Sequence, residues 1–356
     1  MNRRGLLPRS HPPADARLWG VLAALCLVSF GLELCLGSVF IAPARVFGIL
    51  IGDTDAPETW QQIVLLFRLP RAITAALAGG CLGMAGLQMQ ALFRNPLADP
   101  SVLGVNSGAS LGVALVVFAT GASTPGRIFG ALGGSGMAQI VAASVGAIAV
   151  MVLISAVARK VENSITLLIV GLMLGYLSSS IVTVLMSLAI DQQLQRYVSW
   201  TFGSFAGVTW NQLQIFAPVG LCALGYGLLQ AKTMNGLLLG ENYARSLGFD
   251  VRKTRTILAI IASVLAASVT VYCGPIGFLG IAVPQLARSL TRTTDHHVLA
   301  PLVLLVGSTL AMLADLLAHL PGTALSLPLN AITAAIGAPI VLSVVLRRRQ
   351  MLEVGA

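Results

Sequence analysis

The sequence predicts an all-α integral membrane protein of about ten transmembrane helices with both termini cytoplasmic, and three observations predict it. The first is composition. The 356 residues are 56% hydrophobic and 10% charged, with a mean hydropathy of +0.87, whereas a soluble domain carries about 25% charged residues. The second is the length of the apolar stretches, since about 20 residues cross the hydrocarbon core as a helix. Such stretches fall at 18–36, 69–91, 101–119, 129–157, 165–190, 210–231, 256–273, 276–291, 298–319 and 328–346, the eighth being short and broken by Pro284. The third is where the cations lie. With both termini inside, only Arg45, Arg68, Arg71, Arg127 and Arg196 of the 22 Lys and Arg fall outside, which leaves 17 on cytoplasmic segments. This satisfies the positive-inside rule, so the +9 net charge reports topology within membrane lipid and calls for no nucleic acid.

Along the chain, residues 1–17 read as a cytoplasmic segment, 18–346 as one transmembrane domain and 347–356 as a cytoplasmic tail; no Ser/Pro-rich linker divides them. Arg3 and Arg4 before an apolar run, with Ala42-Pro43-Ala44 after it, loosely resemble a signal peptide. The run from Trp19 to Leu36 is too long for an h-region and the proline disfavours cutting, so the segment is expected to stay. The longest outer interruption is 37–62 and the longest inner one 232–255. Arg68-Leu69-Pro70-Arg71 opens the second helix, because proline suits a first turn where its missing N–H costs nothing. The two arginines, three apart, share a face. Gly79, Gly83 and Gly86, then Gly104, Gly108 and Gly112, have the spacing that lets helix backbones touch.

Between those runs lies the polar knot Arg94-Asn95-Pro96 with Asp99-Pro100, and Gly274-Pro275 with Pro284 repeats such a knot in the second half. Paired interruptions are the mark of an inverted repeat. Five cysteines, Cys26, Cys35, Cys81, Cys222 and Cys273, lie in or at the ends of apolar spans without C-x-x-C spacing and read as small hydrophobes, so no protein-held metal or cofactor is expected. A P-loop needs Gly-Lys-Ser/Thr. The only lysines are Lys160, Lys232 and Lys253, none preceded by glycine. In the inner interruption, Glu241 to Leu247 is a short helix candidate with Gly248 as its cap.

Three segments carry a family resemblance: RLPRAITAALAGGCLGMAGLQMQALFRNPLADPSVLGVNSGAS (Arg68–Ser110), CGPIGFLGIAVPQLARS (Cys273–Ser289) and LPLNAITAAIGAPIV (Leu327–Val341). In this order they closely resemble the FecCD family of ATP-binding-cassette (ABC) import permeases, whose members carry ferric siderophores, haem or cobalamin. The resemblance covers Trp19 to Arg349. It implies a type II ABC importer permease of the bacterial inner membrane, with helices two to five paired to seven to ten as an inverted repeat. The implied partners are two copies of a separate ATPase subunit, a periplasmic substrate-binding protein and a second permease copy or sister permease. It implies no catalysis in this chain. Ferric siderophore is the expected cargo, haem the next, and cobalamin the alternative.

The resemblance also implies roles for particular residues. Glu241, Ala244, Arg245, Leu247 and Gly248 fall on the coupling motif that docks into the ATPase. Arg68, Arg71 and His319 fall where the binding protein is engaged, with His319 standing where arginine is usual. A histidine near its ordinary pKa is mostly uncharged above about pH 7, so that contact would be weaker at neutral pH. Asn95 and Leu97, with Ser164 and Ile165, fall on the cytoplasmic gate. Turn chemistry alone also accounts for Asn95-Pro96, and snorkelling to headgroups for either arginine.

The remaining ionisable groups weigh against other classes. Asp315 shares a helix face with His319, and an intramembrane charge is functional by default; a plain pairing with His319 serves equally. Glu33 and Asp315 lie towards helix ends, which disfavours an ion-coupled secondary transporter. His296 and His297 sit in an inner loop, poorly placed for a haem ligand. Met84, Met89, Met173 and Met186 read as core or lipid-facing residues rather than a passage lining.

Overall fold

The computed structural model describes residues 16–52, 56–119, 135–161, 164–246, 248, 250–320, 322 and 326–354. The helices are α1 (Ala16–Cys35), α2 (Pro43–Leu50), α3 (Glu58–Gln62), α4 (Leu69–Phe93), α5 (Val105–Ala119), α6 (Ser135–Lys160), α7 (Ser164–Ser187) and α8 (Asp191–Thr201). They continue as α9 (Trp210–Leu229), α10 (Ala231–Leu238), α11 (Glu241–Ser246), α12 (Val251–Cys273), α13 (Leu279–Thr291), α14 (His296–Ala318) and α15 (Leu329–Val354). A π-helical turn, Ile63–Arg68, joins α3 to α4, and a 3₁₀ turn, Pro100–Leu103, precedes α5. No strand occurs among the described residues.

A helix underlies each of the ten apolar stretches. Seven, counting α3 to α4 as one, are long and apolar enough to cross a membrane by length and composition, whereas α5 and α15 are apolar over shorter lengths and α13 has 13 residues. Several boundaries differ from expectation for local reasons. The α5 helix starts at Val105 rather than 101, because Pro100–Leu103 winds as a 3₁₀ turn closed by Gly104 at φ 74°; Gly104 is thus a turn residue that still packs closely, since a Cβ there would lie 2.9 Å from the Gly171 carbonyl of α7. The α12 helix starts five residues early, where the Asp250 carboxylate accepts the Lys253 N–H at 3.0 Å. The expected tail continues α15 through Val354. Arg127 and the start of the 129–157 stretch lie outside the described residues, as do residues 1–15.

α4 runs through the middle of the bundle, and nearly every residue from Ala72 to Leu92 is buried. Its glycines explain how. A Cβ on Gly79 would collide with the Gly307 carbonyl of α14, and a Cβ on Gly307 with the Gly79 carbonyl, so these two backbones are in direct contact. Gly86 faces the Gly280 carbonyl of α13 in the same way. In the first half, Gly108 and Gly112 of α5 meet Gly146 and Ala142 of α6. Lipid tails are as apolar as leucine, so helix association rests on van der Waals contact, which such close approach maximises.

The contacts pair off between the halves. α4 packs on α12, α13 and α14, while α12 packs on α4, α5 and α6; α5 touches α7 as α13 touches α15. The two short helices, α5 and α13, occupy corresponding places, each preceded by an irregular proline-containing segment.

Adding a methyl to Gly79 should therefore force α4 from α14, at the 1–3 kcal/mol or so typical of overpacking. Gly225, in α9, has nothing within 4 Å of a built Cβ, and there alanine should gain about 0.5–1 kcal/mol from helix propensity. Thermal unfolding in detergent is expected to show Gly79→Ala below and Gly225→Ala at or above the parent; equal midpoints would refute the contact.

Candidate functional site

At one end of the bundle, five ionisable groups gather where α1, α4 and α14 meet. Arg71 Nε lies 2.5 Å from Asp315 Oδ2, and His319 Nδ1 lies 3.4 Å from Asp315 Oδ1. The Asp315 carboxylate is fully buried, while Arg71 and His319 keep 19% and 23% of their side chains exposed. Glu33 of α1 is buried beside them. Two of the expected docking residues are thus brought onto one carboxylate at a partly open surface. Arg68, the third expected docking residue, is held within the chain. It is 7% exposed and donates to the carbonyls of Leu34 and Cys35 at 2.8 and 2.9 Å, and also to that of Val39. The last carbonyls of a helix lack intrahelical partners and carry its negative end. Arg68 therefore clamps the end of α1, and Gly37 leaves room for it, since a Cβ there would lie 2.7 Å from the guanidinium.

Midway through the bundle, a cavity of about 380 Å³ opens between the two irregular segments. Ser107 and Ser110 of α5, Ser178 and Ser179 of α7, Tyr197 of α8 and Asn330 of α15 supply its polar lining. Asn330 also holds the break before α13 in shape: its amide donates to the carbonyls of Pro275 at 2.7 Å and Thr201 at 3.0 Å and accepts the Gly277 N–H at 2.8 Å. Asn106, another lining residue, accepts a 2.9 Å bond from Thr270 of α12. Sequence reading missed this lining. The signal was there in the Ser178-Ser179-Ser180 run inside an apolar span, but only the fold turns it towards Ser107 and Ser110. Of the four methionines, Met84 and Met89 are fully buried in α4, Met186 packs on the core and Met173 is exposed on α7.

At the opposite end, α4 stops at Arg94 in a left-handed conformation, φ 48°. Asn95 Oδ1 then accepts the Leu97 N–H at 3.0 Å, an Asx turn. The turn is tied to α13, because Gln285 donates to the Pro96 carbonyl at 2.5 Å and Arg288 bonds to Gln90. Leu97 and Ile165 are exposed apolar residues, 41% and 63%, and Ser164 opens α7.

Beside this turn lie α10 and α11, joined at Gly240, φ 104°. The Arg94 guanidinium rests against Gly240, 3.6 Å from where a Cβ would stand. Asn235 fixes α10 to the start of α14: it donates to Asp295 Oδ1 at 2.6 Å and accepts the His296 N–H at 2.8 Å. Partial burial opposes the charge of Asp295, but bonds from Asn235 and the His297 N–H outweigh it and hold this carboxyl below its ordinary range. In α11, Glu241 opens the helix, Ala244 is buried, Arg245 is exposed and Gly248 follows at φ 86°. Leu247 lies outside the described residues.

A helical bundle with a broken-helix polar cavity at its middle and a short-helix platform at one end has the architecture of the membrane subunit of a transporter. A profile of the FecCD transport family matches residues 25–347, and the chain belongs to that family. It is 32% identical over 344 residues to the vitamin B12 import system permease protein BtuC of Escherichia coli O9:H4 (strain HS), covering 97% of this chain and 99% of that protein. The BtuC of Klebsiella pneumoniae (strain ATCC 700721 / MGH 78578) is 32% identical over 328 residues, covering 92% and 93%. A solved structure described as an inward-facing conformation of a metal-chelate type ABC transporter matches with a TM-score of 0.79 and 27% identity, over 93% of this chain and 99% of that one. The protein is thus an ABC importer permease of the FecCD and BtuC type, a multi-pass protein of the inner membrane. Membership implies an ATPase and a substrate-binding protein as partners in general.

Removing one member of a buried ion pair costs about 3–5 kcal/mol, and less where the survivor still meets water, as Arg71 does. Asp315→Asn and Arg71→Gln should each lower the unfolding midpoint. The double variant should lose clearly less than their sum, with a coupling of about 1–3 kcal/mol. Strict additivity in a double-mutant cycle would show that the pair does not act as a unit.

Proposed function

We propose that this permease carries an iron complex, foremost a ferric siderophore and next haem, across the inner membrane by alternating access. The observation that carries the reading is the midway cavity. Its lining offers hydroxyls, amides and apolar surface but no carboxylate, imidazole or thiolate, so it suits a metal enclosed by its own chelator better than a bare ion, which would need such ligands. The likeness to a metal-chelate transporter supports the same class. The 32% identity to vitamin B12 permeases favours a second reading, cobalamin, which is also an enclosed metal.

In this reading about ten helices span the bilayer with both termini cytoplasmic, and the paired contacts of α4–α7 and α12–α15 reflect an inverted repeat. A second permease copy, or a sister permease, completes the passage. Two ATPase subunits engage Glu241, Ala244, Arg245, Leu247 and Gly248. Asn95, Leu97, Ser164 and Ile165 close the inner mouth. A periplasmic binding protein docks at the outer cluster through Arg71 and His319, with Arg68 acting behind them on the end of α1.

Transport should be tested in proteoliposomes holding the permease, its ATPase and its binding protein. ATP-dependent accumulation of a ferric siderophore, with cobalamin left outside, is the expected result; the reverse preference would select the second reading, and uptake without ATP would refute both.

The coupling role predicts that Arg245→Glu leaves membrane insertion intact while lowering ATPase copurification and uptake together. Disrupting a charge pair at an interface costs about 2–5 kcal/mol, a loss of at least tenfold. An unchanged complex with unchanged uptake would remove Arg245 from the interface.

A further inference from the structure

α9 and α12 leave an apolar groove of about 600 Å³ between them on the side of the bundle. Pro218, Val219 and Tyr226 form one wall, and Ile257, Ile260 and Val264 the other. Both helices are long and apolar enough to cross the membrane, so the groove opens towards hydrocarbon. At Ile257 and Ile260 it runs directly into a second cavity of about 400 Å³, whose remaining walls are Arg159, Asp250, Arg252, Lys253 and Thr256. Arg159 comes from the last turn of α6, and Arg252 and Lys253 from the first turn of α12, all three exposed.

The charge in this second cavity is unbalanced. Three cations face one carboxylate, and Asp250 already accepts the Lys253 N–H as the cap of α12. The fourth cation of the segment, Arg255, is 2% exposed and donates to the Val161 carbonyl at 3.1 Å. That bond ties the end of α6 to α12 and so fixes the two cationic walls relative to each other.

An apolar trough about two helical turns long, closed at the helix ends by a group of cations, matches one molecular shape. We propose that it holds a single anionic phospholipid, its acyl chain against Ile257, Ile260 and Val264 and its phosphate between Arg159, Arg252 and Lys253. A zwitterionic lipid brings its own cation and would leave the excess of two positive charges untouched, whereas an anionic lipid such as phosphatidylglycerol, with one net negative charge, halves it. The site sits where α6 ends and α12 begins, immediately after the α10–α11 platform, so a lipid there steadies the helix that leaves the platform. The inference holds whichever cargo the passage carries.

Each basic residue near a membrane surface adds about 1 kcal/mol of attraction for anionic lipid, a factor of about five, so three give a preference of roughly a hundredfold. The full-length permease, with the subunits that accompany it, carries a Tyr226→Trp reporter, read as the difference from the parent chain with its four native tryptophans, and is reconstituted into phosphatidylcholine vesicles. Brominated phosphatidylglycerol or brominated phosphatidylcholine is then added at low mole fraction. Tryptophan quenching by the brominated phosphatidylglycerol should saturate at a concentration about a hundredfold lower than by the brominated phosphatidylcholine. Arg159→Gln with Arg252→Gln and Lys253→Gln should abolish the preference while keeping the quenching typical of bulk lipid. Arg159→Gln alone should cost about fivefold, which keeps the test decisive if the triple variant fails to fold. Equal quenching by the two lipids would reduce the groove to ordinary bilayer contact. Competition by inorganic phosphate alone would make the site one for a free anion, and a reporter shielded from both lipids would mean that another protein surface covers it. Each of these results overturns the proposal.

Discussion

The contact of α4 with α14 at Gly79 and Gly307 sets the positions of the other helices. A helix can lie at the centre of a membrane bundle only if its neighbours come close on every side, because no hydrophobic driving force draws helices together within lipid. α4 meets this condition with small residues: Gly79 towards α14, Gly83 towards Val283 and Val303, Gly86 towards α13, and Gly220 and Gly227 of α9 facing its Cys81 and Gln88. The 37 glycines of the chain are therefore not signs of looseness. Those in α4 let one helix have seven helical neighbours (α1, α7, α9, α10, α12, α13 and α14). By contrast, α7 leaves Ile169, Met173, Tyr176 and Leu177 exposed, an apolar face suited to lipid or to a second permease.

Close packing creates a second demand, since the breaks before α5 and α13 free backbone groups at depths where water is scarce. Irregular backbone within a membrane protein is tolerated only where protein or a wet cavity satisfies it. Here single polar side chains do so. Asn330 serves three backbone groups of the second break and its surroundings, and Asp99 caps the 3₁₀ turn of the first by accepting the Ser101 N–H at 2.8 Å. Arg68 does the same for the end of α1, and Trp210 donates to the Leu65 carbonyl within the π-helical turn at 2.8 Å. These residues meet backbone groups that would otherwise lack partners, and Arg68 thereby clamps the end of α1.

Apolar length and cation placement carry the fold in this sequence, because both act over whole segments: a helix underlies each expected stretch, and Gly79, Gly86, Gly108 and Gly112 pack where their spacing indicates. Local chemistry accounts for the misplaced ends at Val105 and Val251, where a proline-led turn and an aspartate cap decide. The site was legible only in part. Arg71, Asp315 and His319 share helix faces, so two short spacings announce a cluster that the meeting of α4 with α14 completes. The serine lining and the role of Asn330 depend on residues more than 50 positions apart, such as Asn330 and Pro275, and no local period encodes a contact of that kind. The backbone contacts of Arg68 are hidden for the same reason, since its partners lie about 30 residues upstream.

The same long-range contacts give the platform a route to the inner turn. α10 is locked to α14 by Asn235, so a force on α11 bears on Gly240 and, through it, on the Arg94 guanidinium. Arg94 is held in a left-handed conformation that ends α4, and the turn it starts is bonded to α13 through Pro96 and Gln285. α4 is fixed along its length by the glycine contacts, so displacement at Gly240 is absorbed most readily by the turn 94–98 and the adjoining end of α13. Under the proposed coupling and gate roles, an ATP-driven movement would therefore reach the turn next to Leu97 while the centre of the bundle keeps its contacts. In that reading, a shaft held by glycine contacts and a turn held by a few hydrogen bonds divide between them the transmission of force and the opening of the passage.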